Sequence, residues 1–229
     1  MWNEFIQDPL FGITLTIIAY AISLLLHHRW KFIHPLLLTT ILLIGFLLVS
    51  EIPYQDYAEG GDLLTLLLGP ATIALGVPFY KYYQHYRKSA RAIVISVTIG
   101  SISGIMVASI SIWLMTSNHE LVMSMLPKST TTPIALELAR QLGGRPELAA
   151  VFAVLTGLIG SVFGPRFLRM VGIRNGLPLG IAMGTSSHGI GTARVIRESQ
   201  FVGGASGLAM ALTGIITSIL VIPLVWWFN

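Results

Sequence analysis

The sequence predicts an all-α integral membrane protein with several membrane-spanning helices. Of its 229 residues, 54% are hydrophobic and only 10% are charged, and the mean hydropathy is +0.76. Soluble domains carry about 25% charged residues. The apolar residues form runs close to the ~20 residues that a helix needs to cross a bilayer. Cysteine is absent, which excludes disulfides, thiolate metal sites and cysteine nucleophiles.

Six apolar runs are predicted to span the membrane. They cover residues 10–26, 33–49, 63–80, 92–116, 148–164 and 202–228. The positive-inside rule places the basic links 27–32, 81–91 and 166–174 in the cytoplasm, and the N-terminus and the acidic link 50–62 outside. The net charge of +4 reflects these links, so no nucleic-acid partner is expected. We expect a multi-pass protein of the cytoplasmic (inner) membrane.

Two weaker segments, 121–143 and 176–198, carry Pro, Gly, Ser and Thr where a lipid-facing helix would carry Leu. Given the orientation of the flanking spans, segment 121–143 must enter and leave the membrane on its outer side. Segment 176–198 must enter and leave on the cytoplasmic side. Two re-entrant or broken helices from opposite faces are typical of inverted-repeat secondary transporters. Alternatively, each segment crosses fully, which gives eight spans. The predicted fold is a single domain over 1–229, with N-terminal helices in 1–91 and a transport core in 92–229.

Three polar patches interrupt the apolar runs. The first is Gly69–Thr72. Pro70 kinks a helix there, and the kink either has a purely structural role or frees backbone carbonyl groups for a binding site. The second runs from Pro127 to Pro133 and precedes Glu137. Its hydroxyl residues mark a helix N-terminus, which favours an anion, but a capped surface loop has the same composition.

The third patch is Thr185–Glu198, the densest polar cluster in the chain. Its glycines, Gly189 and Gly191, permit close backbone approach, and Ser186, Ser187 and Thr192 supply hydroxyls. Arg194 offers a guanidinium fork that suits a carboxylate. His188 titrates near physiological pH and is either a proton carrier or a structural hydrogen-bonding residue.

The sequence does not indicate an enzyme. Ser187 and His188 are adjacent, so on a helix they point in different directions and do not form a nucleophile–base pair. No metal motif or cofactor motif is present. Glycines at 172, 176, 180 and 184 recur every four residues, a spacing that favours close helix packing over direct ligand contact.

At these patches the chain resembles the LrgB/CidB membrane family. The matching stretches are Leu-Gly-Pro-Ala-Thr-Ile-Ala-Leu at 68–75, Pro-Lys-Ser-Thr-Thr-Thr-Pro-Ile-Ala at 127–135, Ser-His-Gly-Ile-Gly-Thr-Ala-Arg at 187–194 and Ser-Gly-Leu-Ala-Met at 206–210. Thr130 stands where valine is commoner in the family, and Ser186 and Val195 stand where alanine is commoner. The resemblance covers essentially the whole chain.

The resemblance implies transport of short 2-oxo or 2-hydroxy monocarboxylates such as pyruvate, glycolate or glycerate. It also implies a small LrgA/CidA-type membrane partner; self-association, as a homodimer, is expected from the apolar surface. The runner-up is an antiholin-like regulator of a holin-like partner, of murein hydrolase activity and of cell lysis. The predicted substrate-binding residues are Thr72, Lys128, Ser129, Thr131, Thr132, Ser187, His188, Gly189, Gly191, Thr192 and Arg194. The candidates for proton coupling are His188, Glu137 and Glu198.

Overall fold

The structure is a computed structural model that describes residues 6–30, 34–116, 118–174 and 176–228, a part of the chain made of helices and connecting turns without strands. The helices are α1 (Pro9–Arg29), α2 (Pro35–Val49), α3 (Tyr54–Thr65), α4 (Leu68–Lys81), α5 (Tyr83–Lys88), α6 (Ala90–Met115), α7 (His119–Met125), α8 (Thr132–Gln141), α9 (Pro146–Met170), α10 (Leu177–Ile196) and α11 (Gln200–Phe228).

Five stretches of helix are long and apolar enough to cross a membrane. They are Pro9–Arg29, Tyr54–Lys81, Ala90–Met115, Pro146–Met170 and Gln200–Pro223. Large apolar side chains on these stretches face outward, among them Leu25 at 74% and Met115 at 83% exposure, as lipid-facing residues do. The multi-pass membrane class is therefore confirmed. The predicted span 33–49 corresponds to the shorter apolar helix α2, and its first residue lies outside the described part.

The chain divides into two compact units, Met1–Ile73 and Ala74–Asn229, with the boundary inside α4. The predicted boundary between 91 and 92 stays a prediction. In the first unit, α1 packs against α2 and α3. Gly12 and Gly60 bring the backbones of α1 and α3 together, since a Cβ on Gly12 would lie 3.1 Å from Gly60 Cα. The Tyr57 hydroxyl donates to Thr16 Oγ1 at 2.9 Å beside this contact.

In the second unit, the first of the two weak segments folds back on itself. We call residues 119–141 the first hairpin, with α7 and α8 as its arms. The Arg145 backbone N–H donates to Ser124 Oγ at 2.7 Å, and Arg145 Nε lies 4.0 Å from Glu120 Oε1. The chain therefore enters and leaves this hairpin at neighbouring points.

The second weak segment, α10, also folds back, at His188. His188 has φ 39° and ψ −133°, which interrupts the helix. A Cβ on Gly191 would lie 3.0 Å from the Met183 carbonyl oxygen, whereas eight residues of straight helix span about 12 Å. Residues 177–187 and 189–196 therefore run antiparallel, and we call them together the second hairpin.

Ionic contacts hold the open end of the second hairpin. Glu198 accepts from Arg169 Nη2 at 2.6 Å and pairs with Arg194 Nη1 at 2.8 Å. Arg169 lies near the end of α9 and Glu198 directly after the hairpin. The entry and exit of the second hairpin are therefore joined.

The glycines at four-residue spacing divide into two kinds. Gly180 and Gly184 pack α10 against α11, because a Cβ on Gly180 would lie 2.7 Å from Ala205 Cβ and one on Gly184 would lie 2.8 Å from the Ser206 carbonyl carbon. Gly172 and Gly176 precede the hairpin and have φ of 90° and 79°, which glycine adopts without strain. Close packing thus accounts for two of the four, and turn conformation for the others.

Candidate functional site

A cavity of about 850 Å³ lies within the second unit. Its wall is formed by α6, by the tip of the first hairpin, by α9 and by the first arm of the second hairpin. Most of the wall is apolar. Polar side chains reach the cavity from the tips of both hairpins. They belong to Lys128, Ser129, Thr185, Ser186 and Ser187.

The tip of the first hairpin presents Lys128 and Ser129 to the cavity. The tip is a hydrogen-bonded turn in which Thr130 Oγ1 donates to the Pro127 carbonyl oxygen at 2.7 Å. Ser129 packs against α6 at Gly104, where a Cβ would lie 3.5 Å from Ser129 Oγ. Fixing the turn in this way points both side chains inward.

Lys128 is a half-buried cation for which the described residues provide no ionic partner. Its Nζ donates to Ser129 Oγ at 3.4 Å, and no carboxylate among the described residues lies within 4.0 Å of it. Charged groups in membrane proteins usually pair or line a polar cavity that serves a ligand. The cavity therefore has a positive end that a small anion can neutralise.

The tip of the second hairpin rests on a face of small residues on α9. His188 is buried, and its Nε2–H donates to the Ala153 carbonyl oxygen at 2.8 Å. The ring lies over Gly157, where a Cβ would come within 2.7 Å of His188 Cε1. Ser187 lies over Gly160 in the same way, with its Cβ at 2.7 Å from a Cβ built there. Glycine on α9 thus makes room for the tip.

The backbone strain at His188 is held by these contacts. A non-glycine residue at positive φ costs on the order of 1–3 kcal/mol and persists where the surroundings over-determine it. The Thr192 hydroxyl donates to the His188 carbonyl oxygen at 2.8 Å and accepts from Ser206 Oγ at 2.8 Å. His188 therefore braces the turn, and its ring does not line the cavity.

Three of the predicted binding residues, Lys128, Ser129 and Ser187, line the cavity together. Thr131 and Thr132 stand at the start of α8, behind the tip. In the second hairpin, Gly189, Gly191 and Thr192 belong to the returning arm and do not line the cavity. The side chain of Thr72 lies outside the described residues. The binding roles of all these residues stay predictions.

The predicted charged candidates lie away from the cavity wall. Arg194 is committed to Glu198 in the ionic contact described above. Glu137 is exposed on α8, where it accepts from Arg140 Nη1 at 3.0 Å and from Gln141 Nε2 at 3.0 Å. The carboxylates of Glu137 and Glu198 are therefore both engaged with neighbouring donors. Glu137 is exposed and Glu198 is partly exposed.

Sequence reasoning did not name several residues of the wall as binding residues. Thr185 on α10 belongs to the third polar patch, Thr156 lines the cavity from α9, and Gly100 and Gly104 line it from α6. The available signal on α6 was the Gly-x-x-x-Gly spacing of 100 and 104, which brings membrane helices close. Thr156 lies in a regular apolar run, and nothing in its sequence context distinguishes it.

Together, these features define a multi-pass helical membrane protein with a largely apolar cavity that receives polar side chains from the tips of two helical hairpins. The sequence profile of the LrgB-like family matches residues 16–227, so the chain belongs to that family, as its motifs predict.

Curated relatives cover nearly the full chain. The chain is 39% identical to the "Uncharacterized protein YwbG" of Bacillus subtilis, over 89% of this chain and 91% of that protein. It is 31% identical to the "Antiholin-like protein LrgB" of Bacillus subtilis, over 96% of each. It is 29% identical to the "Holin-like protein CidB" of Staphylococcus epidermidis, over 99% of each. No solved structure matches the chain.

Proposed function

We propose that this protein is a secondary transporter or facilitator of small 2-oxo or 2-hydroxy monocarboxylates, of the pyruvate, glycolate or glycerate type. The observation that carries the proposal is Lys128. It is a half-buried cation that lines a cavity and has no carboxylate partner among the described residues. Leaving a charge uncompensated in such surroundings is costly, so a ligand anion is the natural counter-charge.

The composition of the wall favours a small ligand with one negative charge. Lys128 supplies one positive charge, and Ser129 and Ser187 supply hydroxyls to the same cavity wall. A hydroxyl donates a hydrogen bond to a carboxylate without adding charge. The remaining wall is apolar, which suits the short carbon chain of a monocarboxylate. In this proposal the protein transfers its ligand unchanged and is not an enzyme.

The order of the elements supports transport rather than simple binding. Within the second unit, a long helix and a hairpin alternate twice: α6, first hairpin, α9, second hairpin, α11. Opposed hairpins that meet at a midplane site are the design of inverted-repeat transporters. We place the two hairpins in the membrane from opposite faces, with the N-terminus outside the cytoplasm.

Proton coupling is a further part of the proposal. Its candidates are His188, Glu137 and Glu198. His188 donates from Nε2 to Ala153, which leaves Nδ1 as the nitrogen that could take up a proton. A small LrgA/CidA-type membrane protein is the proposed partner, and a homodimer is the proposed assembly.

The second candidate function is antiholin-like regulation of a holin-like partner. The printed names of two relatives, "Antiholin-like protein LrgB" and "Holin-like protein CidB", favour this function more directly than they favour transport. It needs no solute cavity. Under this alternative, Ser187→Ala and His188→Ala keep the effect on lysis, whereas alanine at Gly180 or Gly184 abolishes it by separating α10 from α11.

Uptake of labelled pyruvate and glycolate into proteoliposomes tests the first function. We expect saturable uptake by the purified protein and its loss in Lys128→Met. Lys88→Met is the matched control, because Lys88 is exposed and outside the cavity wall. Absence of saturable uptake, with or without a pH gradient and the small partner, would leave regulation as the function.

A further inference from the structure

We propose that Thr185 recognises the oxygen on the second carbon of the bound carboxylate, so that the site distinguishes 2-hydroxy and 2-oxo acids from plain short-chain acids. The inference rests on the proposed function and deepens it. Thr185 lies on the first arm of the second hairpin, two residues before Ser187, and lines the cavity.

The Thr185 hydroxyl is buried and has no partner within the described part of the chain. The residue is 9% exposed, and its Oγ1 has no hydrogen bond in the described part of the protein. Other helical hydroxyl residues of this chain donate to the carbonyl one turn earlier; Ser186 donates to Ala182 at 2.8 Å, and Thr192 and Thr213 do the same. A buried hydroxyl left unpaired in a native structure calls for an explanation, and a ligand oxygen supplies one.

The position of Thr185 relative to the anion-binding end fits a small ligand. Thr185 packs its Cγ2 against α6 at Gly100, 2.8 Å from a Cβ built there, and Ser129 packs against the same helix at Gly104. Four residues of helix rise about 6 Å. Because each hydrogen bond spans about 2.8 Å, one molecule with two neighbouring oxygen groups can reach both hydroxyls.

The Thr185 side chain can turn its hydroxyl toward a ligand. Threonine populates two χ1 rotamers in a helix, and a change of rotamer can bring Oγ1 to the position beside Gly100 that Cγ2 occupies, with Cγ2 moving to the place of the Cβ hydrogen. Gly100 carries no side chain to oppose either arrangement. The carboxylate then lies at Lys128 and Ser129, and the second oxygen of the ligand lies at Thr185.

Glycolate and acetate are the probes for this inference, since they differ only by the hydroxyl on the second carbon. Half-saturation is measured by uptake into proteoliposomes, and binding is measured separately as thermal stabilisation of the purified protein. We expect the wild type to hold glycolate at least about tenfold more tightly than acetate, the ratio that one good hydrogen bond sustains.

Thr185→Val keeps the shape of the side chain and removes the hydroxyl. We expect this variant to bind glycolate about tenfold more weakly than the wild type, and to bind acetate within about twofold of the wild type. Thr185→Ser keeps the hydroxyl and the discrimination. Ser101→Ala is the matched control, because Ser101 is a buried hydroxyl that has no partner among the described residues and does not line the cavity.

The outcomes separate this inference from the proposed function. Equal weakening of both acids by Thr185→Val, no weakening of either, or a wild type that binds both equally well overturns the role of Thr185 and leaves transport standing. A wild type that binds and transports neither acid overturns the proposed function, and the inference with it.

Discussion

Replacing Gly160 by alanine tests whether the tip of the second hairpin rests on α9. The new Cβ would lie 2.7 Å from Ser187 Cβ, with Ser187 Oγ closer still. Carbon atoms pack best at about 3.5–4.0 Å, so the overlap is roughly 1 Å. The atoms in the way belong to a short side chain beside the strained His188, and they cannot swing aside as the end of a long chain would.

The expected cost follows from two opposing terms. Overpacking of this kind costs about 1–3 kcal/mol, and we take the upper end because the tip is fixed. Alanine gains up to about 1 kcal/mol over glycine inside a helix. Gly160→Ala is therefore expected to lower the free energy of unfolding by about 2 kcal/mol. Gly45→Ala, where no atom lies within 4 Å, is expected to raise it slightly.

Denaturation of the purified protein, followed by circular dichroism, measures both variants. A second change at Ser187 identifies the contact. Ser187→Gly removes both clashing atoms and should recover most of the loss in a double mutant, with a coupling energy of about 2 kcal/mol. Ser187→Ala keeps Cβ and should recover less. If Gly160→Ala behaves like Gly45→Ala, or if the two changes are additive, the tip does not rest on α9.

Three further changes probe other contacts, each read from unfolding of the purified protein. His188→Ala should lower stability by about 2–4 kcal/mol, through the lost bond to Ala153 and the vacated space, and His188→Gln, which keeps a donor, should lose less. Glu198→Gln should lose under about 1 kcal/mol, because its ion pairs are partly exposed, and the difference should shrink in high salt. Tyr86→Phe should lose about 1 kcal/mol, since Tyr86 donates to the Phe201 carbonyl oxygen at 2.6 Å.

The same tyrosine predicts a dependence on alkaline pH. Burial, with a smaller effect of Tyr82, raises the pKa of Tyr86 from 10.0 to about 12. A raised pKa means that the folded state favours the neutral phenol, so this contribution is complete below pH 10 and is lost as pH rises toward 12. Stability should fall in that range for the wild type and less for Tyr86→Phe. Equal slopes for the two proteins would contradict the assignment.

Much of the site was predictable because local chemistry marks it. Pro127 and Pro133 around consecutive hydroxyl residues predicted a turn before a helix, and the structure has α8 beginning at Thr132. Lys128 within that turn was predicted as a binding residue and lines the cavity. The polar cluster around Ser187 predicted an interrupted helix, and α10 is interrupted at His188. These features depend on a few consecutive residues.

Arg194 illustrates what the local pattern hid. Its guanidinium suited a carboxylate ligand, and the structure gives it Glu198 instead. The i,i+4 spacing of this pair on a helix was a signal for that contact. The distance of Arg194 from the cavity, however, depends on the turn at His188, which directs the returning arm of the hairpin away from the cavity wall. The sequence pattern does not fix the direction of that turn.

The sequence by itself determined the membrane class, the long apolar helices and the two interrupted segments, because these follow from hydrophobicity and from the backbone preferences of proline and glycine. Only the tertiary structure decided that Lys128, Ser129, Thr185 and Ser187 share one cavity. Thr185 became prominent only when its neighbours were known, since an unpaired hydroxyl is a property of its surroundings. Which side chains meet depends on how the hairpins fold back and pack against α6 and α9, and residues distant in the chain set that geometry.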